Sequence, residues 1–209
     1  MSHDRNNSYF TLFQLPQYLN LDIVALEKKF YAFSRRLHPD RFAAKPASEQ
    51  ETALAASSHL NDAYRTLKDP ILRTQYLLKL EGVELEEQSK AATDAARTTG
   101  EQKKQVVPPE LLEEVFELNM QLQEMRAANQ MGEDEPELRR DLMTAKDAFD
   151  AKMVETQAEL ERLWSAWDAG VDAGDDAAKN RAKEAMVELL NKRSYLRNLV
   201  RDVNEALGL

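Results

Sequence analysis

Apolar residues recur at every third or fourth position through most of this chain, and that spacing constrains its fold more than any other feature. Only 6 Gly and 7 Pro interrupt the 209 residues, and 31% of the residues are charged. Apolar stripes with this period on a charge-rich background are typical of amphipathic helices, whereas a half-buried strand alternates every second residue. The sequence therefore predicts an all-α protein.

The first 82 residues predict a helical head. Asp22 stands where it can cap a helix over 23–37, whose apolar residues form a single stripe. Ser48 opens the pattern of a capping box and predicts the start of a second helix. Asp69 followed by Pro70 is typical of the start of a third helix. With a short apolar segment ahead of them, these helices predict an antiparallel hairpin closed by two short helices.

The rest of the chain predicts a linker and a helical bundle. The segment 83–107 is poor in large apolar residues, which favours a linker. Beyond it, three amphipathic helices are expected, separated by polar breaks at 127–135 and 168–176. Helices joined in this way pack as an antiparallel three-helix bundle. The predicted domains are a head over 8–82 and a bundle over 108–209.

Charge and cysteine content exclude several classes of function. The net charge of −9 divides into +3 up to Leu80 and −12 beyond it, and this asymmetry argues against general nucleic-acid binding. The chain has no Cys, which excludes disulfides, thiol catalysis and thiolate-ligated metals. No apolar run approaches the roughly 20 residues of a membrane span, and the N-terminus lacks the apolar core of a signal peptide. We expect a cytoplasmic protein with no membrane partner.

The sequence offers no catalytic centre. Its three histidines are His3, His38 and His59, and none has the His-x-x-x-His spacing of a metal site on a helix. Neither a glycine-rich phosphate loop nor a nucleophile elbow is present. Paired carboxylates are frequent, but on charge-rich helices they normally form a solvated face. We therefore expect no catalytic residue, no metal and no cofactor.

The tripeptide His38-Pro39-Asp40 lies where the first long helix must end. Pro39 stops that helix, because the residue before a proline is displaced from the helical region. Lys28 and Arg35 lie on the outer face of the same helix, opposite its apolar stripe. By itself a His-Pro-Asp turn indicates only a local hydrogen bond. Its position between two long helices, directly after a basic helix face, instead indicates a binding corner.

At these residues the sequence resembles the J-domain family, the co-chaperones of DnaK-type ATPases. The resemblance extends past the tripeptide to Asn61-Asp62-Ala63-Tyr64, Leu67, Asp69-Pro70 and Arg73. Within that family, three features are similar to the HscB branch, which serves iron–sulfur cluster assembly. These features are the opening Tyr9-Phe10-Thr11-Leu12-Phe13, the segment Tyr76-Leu77-Leu78 and the acidic bundle. The resemblance implies that the head is a J-domain.

The resemblance also implies a partner for the corner. In J-domains the tripeptide and the basic helix before it dock on a DnaK/HscA-type chaperone and bias it toward ATP hydrolysis. The residues implied here are His38, Pro39, Asp40, Lys28, Arg35, Arg36 and Arg41. On this interpretation the chain is not an enzyme but an activator of another protein's ATPase.

The first helix of the predicted bundle carries apolar residues on two sides. One side, beginning at Leu111, is expected to face the bundle, while Leu112, Phe116 and Met120 form a second stripe. A three-helix bundle cannot easily bury both sides of one helix. The second stripe therefore either packs on the head or under the linker, or forms an exposed protein-binding patch rimmed by glutamates.

For this second surface the HscB resemblance implies contact with an IscU-type scaffold protein, on the same helix and on one residue of the last helix. The residues implied are Leu112, Phe116, Glu117, Met120 and Leu189. The leading hypothesis is a co-chaperone that delivers such a scaffold to its ATPase. Two alternatives stay open: a J-domain co-chaperone with another client, and a non-catalytic scaffold protein whose bundle mediates weak self-association.

Overall fold

A computed structural model describes residues 8–83, 85 and 107–209 of the chain. The described residues form helices and their connections, with no β-strand among them, and this confirms the predicted all-α fold. Their α-helices are α1 (Tyr9–Leu12), α2 (Ile23–Leu37), α3 (Ala47–Lys68), α4 (Pro70–Leu80), α5 (Leu112–Met131), α6 (Pro136–Ala173) and α7 (Asp176–Leu207). Short 3-10 helices cover Pro39–Phe42 and Pro109–Leu111. Most of the predicted linker over 83–107 lies outside the described residues.

The chain divides into two compact units, and α6 and α7 contribute to both. The first unit combines the chain up to residue 84 with Leu163–Lys183, which contains the end of α6 and the beginning of α7. The second unit contains Leu85–Arg162 and Glu184–Leu209. The first unit is therefore assembled from two stretches of sequence that lie far apart in the chain.

In the first unit α2 and α3 form the helix hairpin that the sequence predicts. The rings of Phe30 on α2 and Tyr64 on α3 stack with their centroids 4.1 Å apart. The Tyr64 hydroxyl donates to Glu27 Oε1 at 3.0 Å, so the same side chain joins the two helices twice. Asp22 caps α2 as predicted, because its carboxylate accepts the N–H of Ala25 at 2.9 Å.

Helices α1 and α4 close this hairpin. The Tyr9 ring of α1 stacks on the Tyr76 ring of α4 at 4.4 Å, and the Tyr9 N–H donates to the Tyr76 hydroxyl at 2.9 Å. Phe13, directly after α1, is fully buried. The carboxylate of Asp69 accepts the N–H of Leu72 at 2.8 Å, which confirms the predicted start of α4. All the elements of the predicted head are thus present.

The start of α3 differs from the prediction. The helix begins at Ala47, and its N-cap is Pro46, without a side-chain capping bond. The Pro46 carbonyl accepts the N–H groups of Glu49 and Gln50 at 2.9 and 3.1 Å. Ser48 consequently lies inside the first turn, where it cannot act as the N-cap. The capping box was predicted wrongly because the proline ring already fixes the backbone at the N-cap two residues earlier.

The breaks between the long helices are shorter than predicted. Helix α5 continues to Met131 and stops at Gly132, and α6 stops at Gly174. Both glycines have positive φ, +73° and +63°, the left-handed conformation that commonly ends a helix. The predicted breaks at 127–135 and 168–176 rested on polar residues and, in the second, also on Gly170 and Gly174, but alanines and exposed polar residues continue a helix at small cost, and Gly170 lies inside α6. A glycine with positive φ, rather than polarity, follows each of these helix ends.

The second unit is a bundle of α5 with the adjoining parts of α6 and α7. The predicted inner stripe of α5, from Leu111 through Leu118 to Met125, is buried in its core. Near the end of α5, the Asn129 side-chain amide donates to the Ala206 carbonyl at 2.9 Å. These contacts join α5 to α7 both by apolar packing and by a hydrogen bond, which explains why α5 extends past its predicted end.

Candidate functional site

The His38-Pro39-Asp40 tripeptide forms a capped corner at the end of α2. His38 ends α2, and Pro39 is the first residue of the following 3-10 helix. The Asp40 N–H donates to His38 Nδ1 at 3.3 Å, and the Arg41 N–H donates to the His38 carbonyl at 3.0 Å. Because Nδ1 is an acceptor here, the neutral ring carries its proton on Nε2. The first of these bonds orients the imidazole ring, and the two together hold the turn.

The side chains of this corner lie at the surface, as predicted. His38 and Asp40 have 55% and 88% of their side-chain surface exposed. Asp40 Oδ2 lies 3.4 Å from His38 Nδ1, and a contact between two side chains this exposed contributes little to stability. The corner therefore presents an imidazole N–H and a carboxylate side by side, neither of which the fold needs for its own packing.

The basic residues around the corner divide into two groups. Lys28, Arg35 and Arg36 are exposed on α2, as the sequence predicts, and Tyr31 is exposed among them. The guanidinium of Arg41 instead folds back and donates from Nη1 to the Arg35 carbonyl at 3.2 Å. A cation in this position satisfies a carbonyl at the helix C-terminus. Arg41 thus has a structural contact in addition to the predicted binding role.

Lys29 has no predicted role, but in the structure it connects two helices. Its ammonium donates to the carbonyls of Phe13 and Gln14 at 2.8 and 3.0 Å. These carbonyls follow α1, where no helical partner is available to them. Lys29 therefore ties α2 to the end of α1. A lysine on the flank of an amphipathic helix was the only sequence signal for this contact.

The second apolar stripe of α5 is exposed. Leu112, Phe116 and Met120 are 55%, 68% and 60% exposed, and Glu117 lies exposed beside them. Their spacing of four residues keeps them on one side of the helix. Monomeric proteins seldom expose large apolar side chains in a row, and such patches are typical of protein-binding sites. Among the described residues the stripe is exposed, and its role in protein binding stays a prediction.

Leu189 does not share this surface. It lies on α7 with 8% of its surface exposed, next to the buried Leu190 and one turn after the buried Met186. The apolar period of α7 places it on the inward side of the helix. The structure brings together four of the five predicted scaffold contacts on α5, and Leu189 is a core residue instead. A direct contact between Leu189 and a scaffold protein stays a prediction.

Within residues 8–83, 85 and 107–209, no three His, Asp or Glu side chains are grouped so that they could hold a metal ion. None of the helices in the same residues is both long and apolar enough to cross a membrane.

No family model matches the chain. Among curated proteins it is similar to co-chaperone HscB homologues of Neisseria meningitidis. A homologue from serogroup B and one from serogroup C are each 39% identical over 125 residues, which is 60% of this chain and 67% of each relative.

Solved structures agree with these relatives. Chaperone HscB from Vibrio cholerae matches with a TM-score of 0.58 and 25% identity, over 95% of this chain and 96% of that protein. Human co-chaperone HscB shares the fold, with a TM-score of 0.57, 22% identity, and coverage of 99% and 85%. The exposed corner, the helical fold and the identity to these relatives lead to one conclusion. The chain belongs to the HscB family of co-chaperones.

Proposed function

We propose that the chain stimulates ATP hydrolysis by a DnaK/HscA-type chaperone and delivers an IscU-type iron–sulfur scaffold protein to it in the cytoplasm. The single observation that supports this most is the capped corner, which presents His38 and Asp40 to solvent at the end of a basic helix. The chain itself performs no chemistry in this proposal. It acts by binding the chaperone and the scaffold protein.

The corner is suited to recognising one conformation of a partner. The Asp40 carboxylate can accept two charge-assisted hydrogen bonds from an arginine, and these bonds depend strongly on geometry. A ligand shifts a conformational equilibrium only by its difference in affinity for the two states. A corner that fits the hydrolysis-competent conformation alone would therefore speed hydrolysis, while general attraction between the two proteins would not.

The basic face of α2 supplies that general attraction. Lys28, Arg35 and Arg36 are exposed along the helix that leads to the corner. Charges of this kind raise the rate of encounter with an acidic surface and orient the approach, although each adds little affinity. In this proposal the basic face of α2 guides the approach to the chaperone, and the corner binds the hydrolysis-competent conformation of the chaperone.

The exposed stripe of α5 supports the second half of the proposal. Leu112, Phe116 and Met120 present an apolar strip, and exposed glutamates such as Glu117 flank it. Interfaces commonly combine an apolar centre with a charged rim, so a protein with an apolar strip beside basic residues fits this surface. The identity of that protein as an iron–sulfur scaffold is supported only by the family resemblance and is part of the proposal.

Single-turnover hydrolysis of ATP by the chaperone, measured with and without this protein, tests the first half. The wild-type chain should accelerate hydrolysis, and Asp40→Asn should abolish most of the acceleration, because the amide cannot accept from a guanidinium on both atoms. Glu159→Gln removes an exposed carboxylate from α6 and serves as the matched control. An Asp40→Asn protein that stimulates as well as wild type would exclude this mechanism.

Light scattering and a binding measurement test the second half. The proposal expects a monomer that binds the scaffold protein with Phe116 at the contact. A stable dimer that Phe116→Ser converts to a monomer would favour self-association through the stripe. Recovery of the scaffold protein by wild type but not by Phe116→Ser would support delivery.

A further inference from the structure

The loop that precedes α2 is fastened to the last turns of α6. Four consecutive loop residues each form a hydrogen bond with this part of α6, which belongs to the same compact unit as the head. The bonds are Trp167 Nε1 to the Gln17 carbonyl at 3.1 Å, the Tyr18 hydroxyl to Asp172 Oδ1, the Leu19 N–H to Asp168 Oδ1 at 2.7 Å, and the Asn20 N–H to Asp168 Oδ2 at 3.0 Å. A loop held at every residue has a defined conformation.

Asp168 makes the densest of these contacts. Its carboxylate accepts the two backbone N–H groups and also the Asn20 side-chain amide, from Nδ2 to Oδ2 at 3.0 Å. Hydrogen bonds to an ionised carboxylate are about twice as strong as bonds between neutral groups. Leu19 is fully buried, so leaving its N–H without an acceptor would cost free energy of folding. One carboxylate thus fixes two successive peptide groups.

A neighbouring contact seats α4 on the same side of α6. The buried Trp164 donates from Nε1 to Thr74 Oγ1 at 2.9 Å, and the guanidinium of Arg73 lies 5.0 Å from the indole centre. Burial lowers the pKa of Arg73, and the Asp69 and Asp168 carboxylates oppose that change. Asp168 therefore also supplies negative charge to a buried cation. Residues one turn apart on α6 thus hold both the loop and α4.

The fastened loop leads directly into the helix that carries the corner. Asp22, the N-cap of α2, follows Asn20 by two residues, and α2 then runs without interruption to His38. A helix transmits the position of its first turn to its last, because each residue advances it by a fixed rise and rotation. The position of the 19–20 peptide groups consequently affects where His38 and Asp40 are presented.

We infer that Asp168 is a positioning residue for the chaperone-facing helix: its carboxylate fixes the entry to α2 and thereby the corner at the far end. Asp168 itself does not touch the chaperone in this account. The part of the inference that concerns chaperone stimulation rests on the proposed function, and the part that concerns the order of the loop does not.

Hydrogen exchange of backbone amides tests the structural part, with Asp168→Asn compared with Glu159→Gln. An asparagine at 168 turns an NH2 group toward one of the donors, so the amides of Leu19 and Asn20 should exchange on the order of tenfold faster. The amides of α3 and of the second unit should exchange as in wild type. Equal acceleration across the whole first unit would mean a general loss of stability and would overturn the positioning role, as would unchanged exchange at the two amides.

The chaperone assay separates positioning from direct contact. Asp168→Asn should raise the concentration needed for half-maximal stimulation about three- to tenfold, because a corner that is less well ordered pays more entropy on docking, while the maximal rate is kept. A loss of the maximal rate at unchanged half-maximal concentration would overturn the inference. If wild type fails to stimulate at all, the proposed function fails, and hydrogen exchange still decides the structural part.

Asn20→Ala is the milder second variant, for use if Asp168→Asn does not fold. It removes the Nδ2 donor and keeps both backbone bonds to Asp168. Exchange at the Leu19 amide should rise in the same direction but less. No change in exchange, together with unchanged stimulation, would count against the inference.

Discussion

The corner at the end of α2 and the stripe along α5 are both exposed, but they are constructed in different ways. The corner consists of two polar side chains whose geometry depends on one hydrogen bond, from the Asp40 N–H to His38 Nδ1. The stripe consists of three large apolar side chains on a regular helix. The first can recognise a partner only through the positions of a few atoms, and the second through its area. A single substitution in the corner should therefore remove most of its effect on the partner, whereas a single substitution in the stripe should weaken binding only in part.

The largest effect is expected on stability, between a substitution on the buried side of α5 and one on its exposed side. Leu118 is 1% exposed, so Leu118→Ala should lower the free energy of unfolding by about 2–5 kcal/mol. Met120→Ala, two residues away on the exposed side, should change it by less than about 0.5 kcal/mol. Urea denaturation measures both. Equal costs at the two positions would mean that the stripe is packed and is not a surface.

The next largest effect is expected at His38. In His38→Asn the side-chain oxygen can replace Nδ1 as the acceptor for the Asp40 N–H, so the corner keeps its cap but loses the imidazole Nε2. Stimulation of the chaperone should fall by about 30-fold or more, as for the central contact of an interface. Circular dichroism and scaffold affinity should match wild type. Full stimulation by this variant would show that only the turn matters.

A smaller, graded effect is expected on the stripe. Phe116→Ser should weaken scaffold binding about 10- to 30-fold, because it removes the most exposed aromatic contact. Titration calorimetry is the measurement, and Met143→Ser, which removes an exposed apolar side chain from α6, is the control. Chaperone stimulation in the absence of scaffold should not change. Any loss there would mean that the two surfaces are not independent.

The smallest effect is expected on the basic face. Arg35→Ala should slow association with the chaperone about two- to fivefold at low salt, and the difference should shrink as ionic strength rises. The Arg35 carbonyl that holds Arg41 is unaffected by this change. Arg126→Ala, an exposed arginine of α5, is the matched control. Stopped-flow binding at two salt concentrations checks the prediction, and a salt-independent loss would contradict it.

Local patterns predicted the corner and the stripe, but they left open whether the stripe is exposed. Pro39 after a periodic helix predicts a corner, and apolar residues four apart predict a stripe, without knowledge of any distant contact. The caps Asp22 and Asp69 were found for the same reason. Leu189 shows the limit, since its apolar period indicated the core while the family resemblance indicated a contact. In the structure Leu189 is buried, as its apolar period indicates.

The fastening of the loop before α2 could not be predicted from sequence. Its partners, Leu19 and Asp168, are 149 residues apart, and a backbone N–H leaves no trace in a side-chain pattern. Trp164 and Trp167 are both buried, and large aromatic residues on an amphipathic helix indicate a core. They do not indicate that this core is the one around the head.

Because the first unit is assembled from two separate stretches of sequence, its larger stretch cannot be transferred to another protein as a complete unit. Recombination within the segment before α5 could transfer residues 8–83 to another protein but would leave Leu163–Lys183 behind. The transferred piece would carry unpaired amides at 19–20 and an uncovered Leu19. A J-domain completed in this way is expected to lose stability when it is transferred without Leu163–Lys183.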